Sequence, residues 1–505
     1  MEKHRLSEYI KLLSDEGLLV DTDVDEERAI TFIDCLTYDT RELSPNALFI
    51  CKGAHFKPEY ASYAINNGAA AIVSEIRYDG IAPSVIVTDI RRAMATLAPL
   101  FFDDAPSKIT SIGITGTKGK STTAYYMRSI LNKYFKSVGR PDCAIISSID
   151  TYDGVENFES HLTTPEIIEL YRHFANAESA GISHLVMEVS SQALKYGRVA
   201  GIKFDVACFM NIGTDHISPV EHSDFEDYFS SKLKIFDNCE CACINSDSDH
   251  ADRIKSYADG KCRVVTFGSH PDDTVFCKNI YKRDDEIFFE VKTPEFEREL
   301  SITMPGIFNV SNALAAVAMS YVLGIPGEFV ASGLRTARAG GRMQIYKSRD
   351  EKVIAIVDYA HNKMSFEALF NSAKVEFPGR KLISVFGCPG GKAFLRRHDL
   401  AAAADAECDY IIITEEDSGE EPFNNIAKDI ASNIERCDYS VTEDRGEAIR
   451  KAVFETGDEP CVILITGKGE ETRQKRGTQY IDCPSDVEYT LKYLKEYDEA
   501  AVAAN

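Results

Sequence analysis

Gly113 to Thr123 reads GITGTKGKSTT. The apolar Ile109, Ile112 and Ile114 lead into it, and a helical spacing of Tyr125, Met127 and Ile130 follows. Glycines at a strand-to-helix junction let the backbone turn tightly and aim several N–H groups at one anion. Lys120 adds a positive charge, and the hydroxyls of Ser121 and Thr122 are candidate magnesium ligands. Gly113 stands one residue too far from the Gly119–Lys120 pair for a strict P-loop, so the tight unit is Gly116, Gly119, Lys120 and Ser121. The stretch predicts a phosphate cradle for a nucleoside triphosphate. The competing reading is a glycine-rich turn that caps a helix, and Gly, Lys and two hydroxyls at such a switch weigh against it.

Outward from this stretch, 505 residues suggest about three domains at roughly 100–200 residues each, with expected spans 1–107, 108–338 and 339–505. Asp and Glu number 80 against 56 Lys and Arg, a net charge of −24. Such a surface repels nucleic-acid phosphates but leaves room for a local basic pocket. No apolar run reaches the length of a membrane span, and MEKHRLSEYIKLLS, Met1 to Ser14, is amphipathic without a signal-peptide core. A cytoplasmic chain with no nucleic-acid partner and no membrane insertion is expected. The 14 cysteines are then expected to be reduced and buried. Cys239, Cys241 and Cys243 alternate in CECACIN, which predicts one strand face. Metal ligation competes there with a buried strand of small side chains, and the two-residue gaps of zinc sites are missing.

The fold class expected from the pattern is α/β. The first block has strand-like runs at 47–51, 69–73 and 84–87 and a helix at 60–67. DAPS, 104–107, reads as a hinge. The second block alternates strands at 112–115, 184–188, 206–210, 242–245 and 264–267 with helices, which predicts a central P-loop-type, mainly parallel sheet. The third block repeats the alternation at 353–357, 382–386, 410–414 and 462–466, which predicts a C-terminal doubly wound domain facing the second across a cleft. A frayed helix is expected from Leu491 to the end.

Ligands in such sheets lie at the carboxyl ends of the strands, where this chain places Glu188 in LVMEVSS and His216 in NIGTDH. With Ser121 or Thr122, a carboxylate and an imidazole form a set that suits magnesium ions bridging phosphates. Each also has a plain reading: a helix-cap partner for Glu188, a hydrogen-bonded turn for His216. Lys232 in DYFSSKLKIF reads on its own as a snorkelling surface lysine.

YDTR and the KG loop in the first block, GTKGKSTT, HLTTPE, MEVSSQAL, NIGTDH and FNVSNALAA in the second, and GGRMQ, VDYAHN, FGCPGGKAFLRR and ITGKG in the third together resemble the Mur ligase family of peptidoglycan synthesis. Within it, the branch that adds the third amino acid to UDP-MurNAc-L-Ala-D-Glu is the nearest match, covering nearly the whole chain. The resemblance implies an ATP-dependent ligase that forms an acyl phosphate and releases ADP. It implies ATP binding by Gly116, Thr117, Gly119, Lys120, Ser121, Thr122, Asn309, Asn312, Arg342, Asp358 and His361. Thr40 and Arg41 would line the uridine site, and Thr163, Thr164, Ser190 and Arg198 would hold the muramyl dipeptide. Ser121, Glu188, His216 and Lys232 would hold Mg2+, Lys232 as a carbamate (N6-carboxylysine), and Lys120, Glu188, His216 and Lys232 would be catalytic. Arg397, Asp417 and Glu471 would bind the incoming diamino acid. A monomer is expected.

The loop EEDSGEEP, Glu415 to Pro422, lacks the arginine that diaminopimelate-adding members place against the distal carboxylate. Its cluster Glu415, Glu416, Asp417, Glu420 and Glu421 reads equally as a solvated acidic loop or as a partner for a cationic side-chain end, and L-lysine is favoured as third residue, with meso-diaminopimelate the alternative. Two rivals stand further off: a folylpolyglutamate synthase of the same superfamily, opposed by the developed first domain and HLTTPE, and a retired paralog in which nucleotide only changes shape.

Overall fold

Short apolar runs, each closed by a polar or glycine-bearing loop, build three main sheets in the computed structural model. It describes residues 3–504 except 54–55, 161, 216, 219–220, 285 and 456–458. The first sheet runs Leu19–Thr22, Ser84–Val87, Ala71–Ser74, Ala47–Ile50, Cys35–Thr37, and only its first strand is antiparallel. The second has 11 strands. Its middle is parallel, in the order Arg263–Gly268, Cys239–Asn245, Phe204–Phe209, Thr110–Thr115, His184–Glu188, Ala144–Ile146, and antiparallel ribbons extend both edges. The third runs Gln344–Lys347, Val353–Asp358, Cys461–Thr466, Lys381–Phe386, Tyr410–Ile413, Asp438–Val441, with only the first strand antiparallel. The expected α/β architecture is the observed one.

The central strand Thr110–Thr115 carries the phosphate-loop stretch, and its register explains Gly113. A Cβ on Gly113 would meet the Phe204 ring at 2.8 Å, so this glycine lets the neighbouring strand's side chain cross the sheet face. Helix Lys120–Ser137 follows, packed by helix Asn309–Val322, whose Ala313 to Ser320 are all buried. A helix apolar on every side belongs inside a core, and this one fixes the far wall of the phosphate loop.

The antiparallel additions were not expected from sequence. Val275–Arg283 is mostly exposed beyond its first three residues and Asn157–Glu159 is wholly exposed, so neither has the apolar pattern that marks a strand; ladder hydrogen bonds hold them. DAPS is a packed corner, not an open hinge: Ala105–Lys108 forms a 3₁₀ turn with Ala105 and Pro106 buried against helix Ile167–Ser179. The last helix starts earlier than expected, at Asp486, and docks through Tyr493 and Leu494 beside Ile449 and Val453. All 14 cysteines are free thiols. Cys241 and Cys243 share one core cluster while Cys239 joins the other, and no described group of potential metal ligands includes them. Among the described residues, no helix is long and apolar enough to cross a membrane.

Candidate active site

The parallel strands end side by side, and the loops that leave their carboxyl ends assemble the site. Gly119 has φ +83° and a Cβ there would lie 2.1 Å from Asn312 Oδ1; a side chain is excluded both by the backbone and by the asparagine. Asn312 in turn donates to Asn309 Oδ1 at 2.8 Å. The loop is bolted to the turn after Phe204–Phe209: the Lys118 N–H donates to Asn211 Oδ1 (2.8 Å), Asn211 Nδ2 donates to the Lys118 carbonyl (3.1 Å), and the Gly213 N–H donates to Thr117 Oγ1 (3.0 Å).

Three lysines converge on this loop. Lys120 Nζ donates to the carbonyls of Gly116 (3.0 Å) and Thr117 (3.2 Å), and Lys232 Nζ donates to the same Gly116 carbonyl at 2.9 Å. Lys232 is 2% exposed and its Nζ lies 4.8 Å from the Tyr228 ring centroid; it is no snorkelling surface lysine. Burial, reinforced by Lys120, drives its ammonium well below the usual lysine range, burial also lowers Lys120, and burial brings Lys118 down to about 7 against the pull of Asp215. Desolvation disfavours each ammonium, and clustered like charges compound it.

Opposite them lies an oxygen cluster. Ser121 Oγ is 3.0 Å from Ser148 Oγ, the Ser148 N–H donates to Glu188 Oε1 at 2.8 Å, and Arg342 reaches across from the third domain to donate to Ser121 (3.1 Å) and Ser148 (3.3 Å). Glu188 is 1% exposed. Asp358 accepts from the N–H groups of Met343 and Ala360, while His361 Nδ1 sits 2.8 Å from the Tyr359 carbonyl and its imidazolium is strongly disfavoured by burial, then by Lys118. These groups line one cavity of about 490 Å³ that runs from the phosphate loop into the third domain.

The sequence of residues 114–320 matches the Mur ligase middle domain, and that of residues 341–469 the Mur ligase, glutamate ligase domain. The chain belongs to the Mur ligase family. Among this Mur ligase's relatives, the UDP-N-acetylmuramyl-tripeptide synthetase of Lactobacillus acidophilus is 34% identical, with 98% of each chain covered. The UDP-N-acetylmuramoyl-L-alanyl-D-glutamate–L-lysine ligase of Enterococcus faecalis is 35% identical, with 92% of each covered. In fold the chain is similar to a solved UDP-N-acetylmuramoyl-L-alanyl-D-glutamate–2,6-diaminopimelate ligase, at TM-score 0.64, 21% identity and 99% coverage of both chains.

The third-domain end of this Mur ligase's cavity is acidic. Glu416, Asp417 and Glu471 line it with Lys468, whose Nζ lies 3.0 Å from Asp417 Oδ1 and 2.5 Å from Glu471 Oε2. Burial pushes Glu416 up to about 7 despite Arg445 and Arg396. The loop is not a solvated acidic run: Glu415 pairs with Arg476 at 2.8 Å and Glu421 with Arg397 at 2.6 Å. Arg397 is 3% exposed, also meets Asp429 at 3.1 Å, and does not line the cavity, whereas Arg396 does.

The remaining sequence-derived residues fall in two places. Thr163 lines the cavity. Buried Thr164 donates to the Glu188 carbonyl and accepts from the Ser190 N–H, both at 3.0 Å, and Ser190 caps helix Ser191–Lys195. Thr40 and Arg41 lie in the short turn Thr40–Glu42 of the first domain, Arg41 paired with Asp39 and largely exposed. Between the first two domains, Glu166 gathers Lys52 and Arg198, the latter at 2.9 Å, and Arg91 stands 4.2 Å from the Tyr196 ring. His216 lies outside the described residues. Sequence reasoning missed Ser148 and Asp215 as cavity or loop partners. Asp215 was visible inside NIGTDH, but nothing in the sequence marked Ser148.

Proposed function

We propose that this protein is an ATP-dependent, ADP-forming ligase that adds the third amino acid, L-lysine in preference, to UDP-MurNAc-L-Ala-D-Glu in peptidoglycan synthesis. One observation carries the reading: a single cavity joins the lysine-rich phosphate loop to the acidic pocket of Glu416, Asp417 and Glu471, which suits a phosphate donor at one end and a cationic amino acid at the other. The two curated relatives, one named for tripeptide synthesis and one for lysine addition, support it. The domains are drawn at 107/108 and 338/339, and no described sheet mixes strands from two of these spans.

A carboxylate is a poor electrophile. The γ-phosphoryl group of ATP passes to the side-chain carboxylate of D-Glu, ADP departs, the amine of the incoming amino acid attacks the acyl phosphate, and phosphate leaves. Lys120 meets the charge that develops on the transferring group. Ser121, Ser148 and Glu188 form a hard-oxygen donor set that fits Mg2+, and bound Mg2+ would neutralise phosphate charge there. Asn309, Asn312 and Arg342, with Asp358 and His361, enclose the nucleotide. Lys52, Arg91 and Arg198 beside Glu166 suit the diphosphate of the nucleotide-sugar; of the three, the resemblance named only Arg198, and for the muramyl dipeptide.

Lys232 is assigned as a carbamate. Burial and Lys120 disfavour its ammonium and so favour the neutral amine, the form that attacks CO2: the C–N bond forms, the nitrogen loses a proton, and an anion results. Lys120 and Lys118, which repel an ammonium, attract that anion.

The amino acid is decided by charge. Lys468 cancels one of the three carboxylates, so the pocket stays anionic and favours a terminal ammonium over a second carboxylate by on the order of a kcal/mol or more. Phosphate release with UDP-MurNAc-L-Ala-D-Glu and a panel of L-lysine, L-ornithine and meso-diaminopimelate tests this. L-lysine is expected to have the highest kcat/KM. A preference for diaminopimelate of about tenfold, roughly 1.4 kcal/mol, would reverse the residue and leave the ligase standing; no release with any amino acid would favour the retired paralog.

A pH dependence follows from Glu416. Its carboxyl, raised to about 7 by burial, is neutral below that pH and anionic above it. The kcat/KM for L-lysine is therefore expected to rise between about pH 6 and 8, and Glu416→Gln to flatten that rise. Lys118 loses its charge over the same range with the opposite sign, and acts on the ATP dependence instead. A rise that survives unchanged in Glu416→Gln would assign it to another group.

A further inference from the structure

Asp215 is buried, with its side chain 3% exposed, at the point where the second and third domains touch. Asn362 Nδ2 donates to Asp215 Oδ2, and Arg396 donates to Asp215 Oδ1 at 3.3 Å. Both donors stand at the start of third-domain helices. Asn362 caps Lys363–Glu376, its Oδ1 accepting from the Ser365 N–H, and Arg396 lies in the first turn of Phe394–Glu407. Side chains from the starts of two helices thus meet on one carboxylate. From the second domain, Lys118 Nζ lies 3.8 Å from the same group. Nearby, a Cβ on Gly213 would come within 2.1 Å of Met364 Cε, so the turn carrying Asp215 is pressed against the first of those helices.

The same turn is fastened to the phosphate loop. Asn211 and Gly213 hold Thr117 and Lys118 through five hydrogen bonds: Lys118 N–H to Asn211 Oδ1, Asn211 Nδ2 to Lys118 O, Gly213 N–H to Thr117 Oγ1, Thr117 Oγ1 to Gly213 O at 3.3 Å, and Thr117 N–H to Asn211 O at 3.0 Å. A pull on Asp215 is therefore a pull on the loop. We propose that Asp215 is a positioning residue that couples docking of the third domain to the shape of the phosphate loop, so that Arg396 and Asn362 must arrive before Lys118 and its neighbours hold the nucleotide productively. This rests on the nucleotide-ligase reading above. An anionic link of this kind gains Arg396 and Asn362 as partners beside Lys118 only when the third domain is down, whereas an apolar contact would hold the domains together without reporting the fit of two specific donors.

A double-mutant cycle tests it. Asp215→Asn and Arg396→Gln are each expected to lower kcat by about tenfold or more, and the double variant to be no worse than the weaker single, because both break one link. The KM for UDP-MurNAc-L-Ala-D-Glu, whose assigned residues lie in the first and second domains, is expected to stay within about twofold, and Asp215→Glu to recover part of the loss. Donor–acceptor dyes on the second and third domains read docking with ADP directly, without turnover. Nucleotide is expected to shorten the dye distance in the parent and not in Asp215→Asn. Should Asp215→Asn fold poorly by Tm, Asn362→Ala removes one donor and is read the same way. Losses that multiply in the double variant, or normal nucleotide-induced shortening in Asp215→Asn, would overturn the proposal. A parent protein that shortens with ADP but shows no turnover would overturn the ligase reading and leave this link intact.

Discussion

Replacing Lys232 with alanine is expected to lower kcat by about 1,000-fold, on the order of 4 kcal/mol of transition-state stabilisation. The side chain is buried, donates to the Gly116 carbonyl and shares its surroundings with Lys120 and Lys118. As an ammonium it would be the third positive charge at one loop; as a carbamate it supplies the anion that those charges and a divalent ion call for. The alanine variant loses that anion, and formate or acetate diffusing into the space is expected to restore part of the rate. Mass spectrometry that preserves labile adducts should find a mass increase of one CO2 on the parent protein. A fully active alanine variant would remove the carbamate, and so would loss of activity with no response to carboxylates together with an unmodified parent.

Lys120→Ala is expected to act through kcat, by about 100- to 1,000-fold, with the KM for ATP changed far less. The Lys120 ammonium reaches into the phosphate loop, donating to the carbonyls of Gly116 and Thr117. Its charge is needed most while the phosphoryl group is between donor and acceptor, because interactions stronger in the transition state than in the ground state are what raise kcat. Near-normal kcat with weaker ATP binding would instead make Lys120 a positioning group. Lys120→Arg is informative beside it: the charge is kept, but the planar guanidinium does not fit a point held by two carbonyls, so only a small recovery is expected.

Much of this protein was written locally. The strands Ala47–Ile50, Val353–Asp358 and Cys461–Thr466 are apolar runs broken at most at the last residue, because strands covered on both faces must be apolar on both. The phosphate loop needs glycine where the chain turns, and the lysine and hydroxyls beside it need no distant partner to be recognised. Motifs that recur in fixed order made the family legible, since each is one short stretch bearing its own chemistry.

The features that sequence left undecided depend on residues far apart in the chain. Lys232 reads alone as a surface lysine; only the fold brings it to the Gly116 carbonyl, across a sequence separation of 116, and desolvation there changes its chemistry. The acidic loop from Glu415 to Glu421 reads alone as either a solvated run or a partner for a cationic side chain; folding pairs Glu415 with Arg476 and Glu421 with Arg397 and leaves Glu416 and Asp417 at the cavity. Arg396 and Arg397 are neighbours, yet helix geometry turns the first toward Asp215 and the second toward Glu421. Sequence by itself determined the parallel core strands, the phosphate loop and which side-chain types are available, because those follow from local periodicity and turn chemistry. Tertiary structure alone decided which of those side chains are buried, paired or turned into the cavity, because burial and charge pairing are properties of neighbours in space.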